Sequence, residues 1–194
     1  KDYSINNSNY KYVPGTYTMC ARDCWWGKCS FCSWTTLYPG KDYRCVSSKR
    51  LLDEVGMLIE KFNVKEIMDD SGSFPNGKFL DEFCKGMIKR GYNKKVNFDC
   101  NFRFNSVTKK QYELMGKAGF RFILYGLESA TQSTLDKVNK NMKVKYFKRD
   151  LRWAKKAGLD PHITVMVGYP WETKSEVKKS LDLAKKFFKR GLLD

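Results

Sequence analysis

Apolar residues recur along this chain with two alternating periods. Leu51, Leu52, Val55, Leu58, Ile59 and Phe62 share one face of a helix that Ser48 is placed to cap. VKEIMD (64–69) reads as a short strand, followed by the turn-rich DSGSFPNG. Phe79, Leu80, Phe83, Cys84, Met87 and Ile88 predict a second helix ended by Gly91. VNFDCNF (96–102) predicts a strand, and Thr108 with Gln111 forms a capping box for a helix running to Gly119. FRFILYGLE (120–128) is almost continuously apolar, as a parallel strand buried on both faces would be. A short helix near 133–139 and a longer one near 145–156, stopped by Gly158, precede the strand HITVMVG (162–168). Thr173 and Glu176 box the start of a last helix through about Arg190.

With a first strand at TYTMC (16–20), the order is strand then helix, five times over. That alternation predicts an α/β fold: a parallel sheet with helices outside, either doubly wound or part of a barrel. Both place ligands at the carboxyl ends of the strands. The chemically unusual segments all fall there: cysteines after the first strand, DDSGS after the second, NFRFN after the third, GLES at the end of the fourth, GYPWET after the fifth. No linker, low-complexity tract or repeat beyond the βα unit interrupts the pattern.

Composition adds limits. The 194 residues suffice for one domain with a real core, and 42% hydrophobic with 30% charged residues is globular. No apolar run reaches the ~18 residues of a membrane span. The opening KDYSINNSNYKYVPG lacks a signal-peptide core, and a cytoplasmic protein is expected. A chain starting at Lys1 is expected to be a piece of something longer. The net charge of +16 reads either as attraction to RNA or another polyanion, or as solvated lysine-rich helix faces. Runs such as KKSLDLAKKFFKR, and the lack of a nucleic-acid motif, favour the second.

Seven cysteines are many for a chain without export features, and an odd number suits a disulfide framework poorly. Cys20, Cys24, Cys29 and Cys32 fall within thirteen residues, which points to a metal site. A structural zinc site pairs two short knuckles across a longer loop, and that separation is missing. His162, the single histidine, is distant and reads as structural. An iron–sulfur cluster fits better, because thiolates of one loop can each take a different iron. Three ligands on a four-iron cluster leave one iron open for chemistry.

CWWGKCSFC (24–32) resembles the cluster loop of the radical S-adenosylmethionine (SAM) superfamily. The common spacing there is three residues, then two; here it is four, then two. The aromatic–Trp–Gly–basic insert is similar to that of cobalamin-associated members. The resemblance makes Cys24, Cys29 and Cys32 the cluster ligands. Cys20 would need a partner at position 27, which is Gly27, so Cys20 reads as a small buried residue, as do Cys45, Cys84 and Cys100. Phe31, before the third ligand, is implied to pack near adenine. Asp69, Asp70, Ser71 and Gly72 stand where the superfamily often has Gly-Gly-Glu, which engages the SAM amino group; the other reading is a strand-end turn. Arg103 is implied to bind the methionine carboxylate, against an ordinary ion pair. Gly126, Glu128 and Ser129 resemble the element reaching ribose and methionine, and a glutamate closing an apolar strand is hard to explain as core. MVGYPWET (166–173) resembles the strand-five element, with Trp171 in place of its second glycine, and puts the backbone of Val167 and Gly168 beside adenine. Glu172 and Thr173 can instead begin the following helix.

The resemblance covers about residues 15–190. It implies a partial TIM-like barrel of six βα units, with about five present, an N-terminal extension over about 1–14 and the sixth unit missing. It also implies a [4Fe–4S] cluster that reductively cleaves SAM to a 5′-deoxyadenosyl radical. That radical would abstract hydrogen from an unknown small-molecule or peptide substrate, the electron coming from a donor such as flavodoxin or ferredoxin. Cobalamin, carried by an upstream domain, would extend the chemistry to methylation or rearrangement. The alternatives are an RNA-modifying, methylthiotransferase-like enzyme, and a non-catalytic iron–sulfur or zinc module for binding or electron transfer. No dinucleotide-binding, Walker or nucleophile-elbow signature is present.

Overall fold

Five parallel strands form the sheet of this protein, in the order β1 (Gly15–Thr18), β4 (Glu66–Asp69), β5 (Asn97–Phe102), β6 (Phe120–Glu128) and β7 (Asp160–Val165). The computed structural model describes residues 10–35 and 43–193, so residues 1–9 of the expected extension lie outside it. Two-residue strands β2 (Ala21–Arg22) and β3 (Arg44–Cys45) pair antiparallel on either side of the cysteine segment. The helices are α1 (Ser48–Phe62), α2 (Gly77–Lys89), α3 (Lys109–Lys117), α4 (Gln132–Lys137), α5 (Phe147–Lys156) and α6 (Lys174–Lys189).

Each strand of the sheet lies beside the next one in sequence, with no reversal of order. A doubly wound sheet needs such a reversal. Without it, right-handed crossovers put successive helices on one face, where α1 meets α2, α2 meets α3 and α3 meets α5. The sheet therefore curls as part of a barrel, and its inner face forms a lumen.

Local chemistry explains the elements. Capping boxes at Thr108–Gln111 and Thr173–Glu176 start α3 and α6 as expected. α1 begins one residue earlier than expected: Ser47 is extended and accepts from the Arg50 N–H at 3.2 Å, while Ser48 is already helical. Asn63, in the left-handed region, closes that helix. β7 stops at Val165, three residues short of the expected end, because the chain leaves the sheet and turns at Gly168 (φ 90°).

Between sheet and helices lies an aromatic hub. Phe74 is fully buried, its ring 5.7–6.0 Å from those of Phe79, Phe83, Phe98, Phe102 and Phe120. Its N–H donates to the Asn101 carbonyl at 2.8 Å. The loop after β4 is thus pinned to the core one turn beyond Asp70. At the opposite end, buried Glu66 pairs with Arg121 and accepts the N–H groups of Lys11 (2.8 Å) and Tyr12 (2.7 Å). Cys84 and Cys100 are buried as expected. Cys45 is not: it is exposed, because β3 belongs to the two-stranded ribbon with β2 and not to the five-stranded sheet.

Candidate active site

The carboxyl ends of the sheet strands surround a cavity of about 320 Å³. Cys24, Cys29 and Cys32 line it, from the loop between β2 and β3. So do Phe31, Asp70, Gly72, Arg103, Gly126 and Glu128, which the sequence had singled out, and Trp34, Asn101, Leu124, Lys140 and Thr164, which it had not. The other named residues lie outside this lining. Asp69 is buried on the far side of the pleat, accepting from the Cys20 N–H (2.8 Å) and the Ser71 N–H (3.1 Å). The Ser71 hydroxyl accepts from the Ala21 N–H at 2.9 Å, so both residues tie the loop after β4 to the start of the cysteine segment. Ser129 is buried beside Ser180 and caps the Thr131 N–H. Val167 is exposed, and the Gly168 N–H donates to Glu172 at 2.9 Å.

Glu128 ends β6 in the left-handed region (φ 60°), at a register shift against β7. A non-glycine residue held there is strained, and strain of this kind gathers at functional sites. Its carboxylate accepts from the Lys140 ammonium at 2.7 Å, both side chains 9% exposed. The Thr164 hydroxyl donates to its other oxygen at 3.4 Å. Lys140 sits between Asn139 and Asn141, both left-handed, and its ammonium lies 5.6 Å from the centre of the Phe31 ring. Two asparagines bracketing one lysine were the only sequence sign of this turn.

Arg103 follows β5 and is buried, 7% exposed. Its guanidinium donates to the Lys140 carbonyl and points Nη1 at the Cys29 sulfur, 3.8 Å away. Trp26 and Trp25 flank it, 4.7 and 5.5 Å from ring centre to guanidinium carbon. Burial pushes the Cys29 thiol up, while Lys140 and Arg103 pull it back toward the thiolate. Burial also raises Asp70, opposed by a hydrogen bond with Asn101. Tyr169 meets Phe31 edge-on at 6.4 Å and stacks on Trp171 at 5.5 Å; its buried hydroxyl has no protein partner.

These residues fit an iron–sulfur cluster. None of the three thiols is in a disulfide, and all are half-buried and line one cavity. Among the described residues no three His, Cys, Asp or Glu side chains converge on one point, as ligands of a single ion do. Three thiols of one loop at the rim of one cavity can each take a separate iron. Gly72 keeps that rim open, since a Cβ there would lie 3.0 Å from the Cys24 Cβ.

Comparison with known proteins agrees with the geometry. The family model described as the radical SAM superfamily matches residues 18–184. Members of that family use a [4Fe–4S] cluster and SAM. The chain is 34% identical over 188 residues to the anaerobic magnesium-protoporphyrin IX monomethyl ester cyclase of Cereibacter sphaeroides, covering 93% of this chain and 30% of the relative. It is 26% identical over 167 residues to the hopanoid C-3 methylase of Methylococcus capsulatus, covering 84% and 32%. Among solved structures, the radical SAM methyltransferase TsrM from Kitasatospora setae superposes with a TM-score of 0.78 at 14% identity, covering 89% of this chain and 34% of that one. The cobalamin-dependent enzyme OxsB, solved with aqua-cobalamin and SAM, gives 0.71 at 20%, covering 86% and 26%. At those identities the structures show the shared fold. The chain spans only about a third of the length of the curated relatives it matches.

Proposed function

The chain belongs to the radical SAM superfamily, and from that premise we propose that it is the cluster- and SAM-binding core of an enzyme that also uses cobalamin. The observation that carries the reading is one cavity at the strand ends, lined by three cysteine thiols, a strained buried Glu128 and the cations Lys140 and Arg103. When bound, the cluster would supply the one-electron reduction of SAM that opens radical hydrogen abstraction from a substrate.

The side chains divide the work of holding SAM. Cys24, Cys29 and Cys32 would hold the cluster, one thiolate to an iron. The Asp70 carboxylate accepts hydrogen bonds from the methionine ammonium. Lys140 and Arg103 draw its carboxylate, and Glu128 accepts from the ribose hydroxyls. Phe31 and Tyr169 wall the adenine, with the unpartnered Tyr169 hydroxyl at hand for a ring nitrogen. A second cavity of about 180 Å³ continues into the lumen past Asp70, Asn101 and Leu124, and offers the substrate a place below the cofactor. Its other walls include Tyr17, Met68, Asp99 and Phe122, a surface of mixed polar and apolar groups.

Cobalamin, a flavodoxin or ferredoxin as donor, and a cytoplasmic location belong to this reading of the whole protein. The cobalamin-dependent neighbour and the methylase and cyclase relatives support the first. No described helix is long and apolar enough to cross a membrane. The test is product formation: reduced, cluster-loaded protein mixed with SAM should release 5′-deoxyadenosine, measured by mass spectrometry. A fully loaded protein that binds SAM and releases none, with or without cobalamin, would leave a binding module in place of an enzyme.

A further inference from the structure

We propose that Arg103 tunes the reduction potential of the cluster, and that the Trp25–Trp26 insert between the first two ligands serves to hold it against the Cys29 sulfur. The inference rests on the cluster assignment above and goes beyond it.

A buried guanidinium normally pairs with a carboxylate, because an isolated charge is costly to desolvate. Among the described residues no ion pair includes Arg103, although it is 7% exposed. Its hydrogen bonds go to the Lys140 carbonyl and the Cys29 sulfur. The charges that act on it are those of Cys29 and Cys24 and then Glu128, so a cluster held by those thiolates would add its charge beside the guanidinium. The two indoles lie against the guanidinium and cover part of it. Trp26 is fixed in turn, its Nε1 donating to the Asn139 carbonyl at 2.8 Å and Lys28 lying 5.4 Å from its ring centre. Gly27, left-handed at φ 58°, turns the loop back toward Cys29. A three-residue spacing would have to drop one member of this arrangement.

Reduction adds a negative charge to the cluster. A fixed cation beside a ligand sulfur stabilises the reduced state more than the oxidised one, and donors to cluster sulfurs act in the same direction. Removing water strengthens the effect by lowering the local dielectric constant. Both requirements meet at Arg103: charge and donor at the sulfur, aromatic rings on its flanks.

The experiment is a redox titration, without SAM, of the reconstituted protein and of Arg103→Gln, Arg103→Lys and Trp26→Leu, with iron and sulfide counted in each. Arg103→Gln should keep its cluster and shift the midpoint to more negative potential by ~60 mV or more, the one-electron equivalent of a tenfold change. Arg103→Lys should fall between it and wild type, since charge is kept and the planar donor lost. Trp26→Leu should shift the midpoint the same way by less, because the guanidinium stays but meets water. A loaded Arg103→Gln with the wild-type midpoint overturns the proposal. If that variant does not load, an unchanged midpoint in the other two overturns it and a negative shift supports it. Failure of all three to load, beside a loaded wild type, makes these residues ligand scaffold and also overturns it. A wild-type protein without any cluster defeats the cluster assignment itself, a result distinguishable from all of these.

Discussion

Alanine at Gly126 adds one methyl to the wall of the strand-end cavity. A Cβ there would lie 2.4 Å from Glu128 Oε1 and 2.6 Å from Lys140 Nζ, well inside the ~3.5 Å at which non-bonded atoms settle. Gly126 is in the middle of β6 and its φ is not positive, so its backbone accepts alanine. The two contacted atoms end flexible side chains, so they yield and the strand does not. Moving either by ~1 Å ends the 2.7 Å bond between them. A hydrogen bond between charged groups contributes ~1.5–3 kcal/mol. Replacing glycine returns ~0.4–1 kcal/mol through the unfolded chain. The net loss of stability is then roughly 1–2 kcal/mol, readable as a lower urea midpoint at unchanged slope. Binding should suffer more visibly, because the displaced groups are the ones assigned to the methionine carboxylate and ribose: SAM affinity of the loaded protein should fall roughly 10- to 100-fold by calorimetry. Wild-type affinity in a stable Gly126→Ala would refute the assignment of Glu128 and Lys140. A stability loss above ~4 kcal/mol would refute the claim that flexible ends absorb the methyl.

Three further outcomes are expected. Alanine at Cys24, Cys29 or Cys32 should abolish the cluster's iron and visible absorbance, whereas Cys20→Ala, outside the cavity lining, should keep both. The buried Tyr112 and Tyr125 hydroxyls bond each other at 2.7 Å; either Tyr→Phe change should cost ~1–3 kcal/mol in urea unfolding, and the double change less than their sum. Burial, and then Glu66 beside it, push the Asp99 carboxyl up to about 9. The folded state thus keeps a proton that the unfolded chain loses near pH 4, so this group's stabilisation is complete below pH ~4 and is lost as pH rises toward 9. Asp99→Asn, which keeps an acceptor for the Phe122 N–H, should therefore be increasingly favoured over wild type from pH 5 to 8, and a gap that stays flat with pH would contradict the shift.

Local signals made much of the fold legible. Capping boxes at Thr108 and Thr173 and the apolar run 120–128 are short-range features, and the elements they predict are present. Strand order was not legible, because alternation of strand and helix is the same in a barrel and in a doubly wound sheet; only the pairing of β1 with β4 and onward decides it. In the site, the cysteine spacing and a glutamate ending an apolar strand were readable, and both line the cavity. The acidic segment divides by pleat: Asp70 faces inward with Met68, and Asp69 outward with Ile67, a side that register alone determines. Lys140 was hidden among 37 lysines and arginines, since burial comes from the turn made by Asn139 and Asn141 and not from its own residue type. Cys45 was misread because a free ribbon strand exposes even an apolar residue.

The central claim is an open iron that SAM contacts. Electron paramagnetic resonance of the anaerobically reconstituted, reduced protein, recorded with and without SAM, tests it most directly. The account predicts a [4Fe–4S]⁺ signal that SAM changes in wild type. A cluster signal indifferent to SAM, or stoichiometric zinc with no iron–sulfur signal, would contradict it.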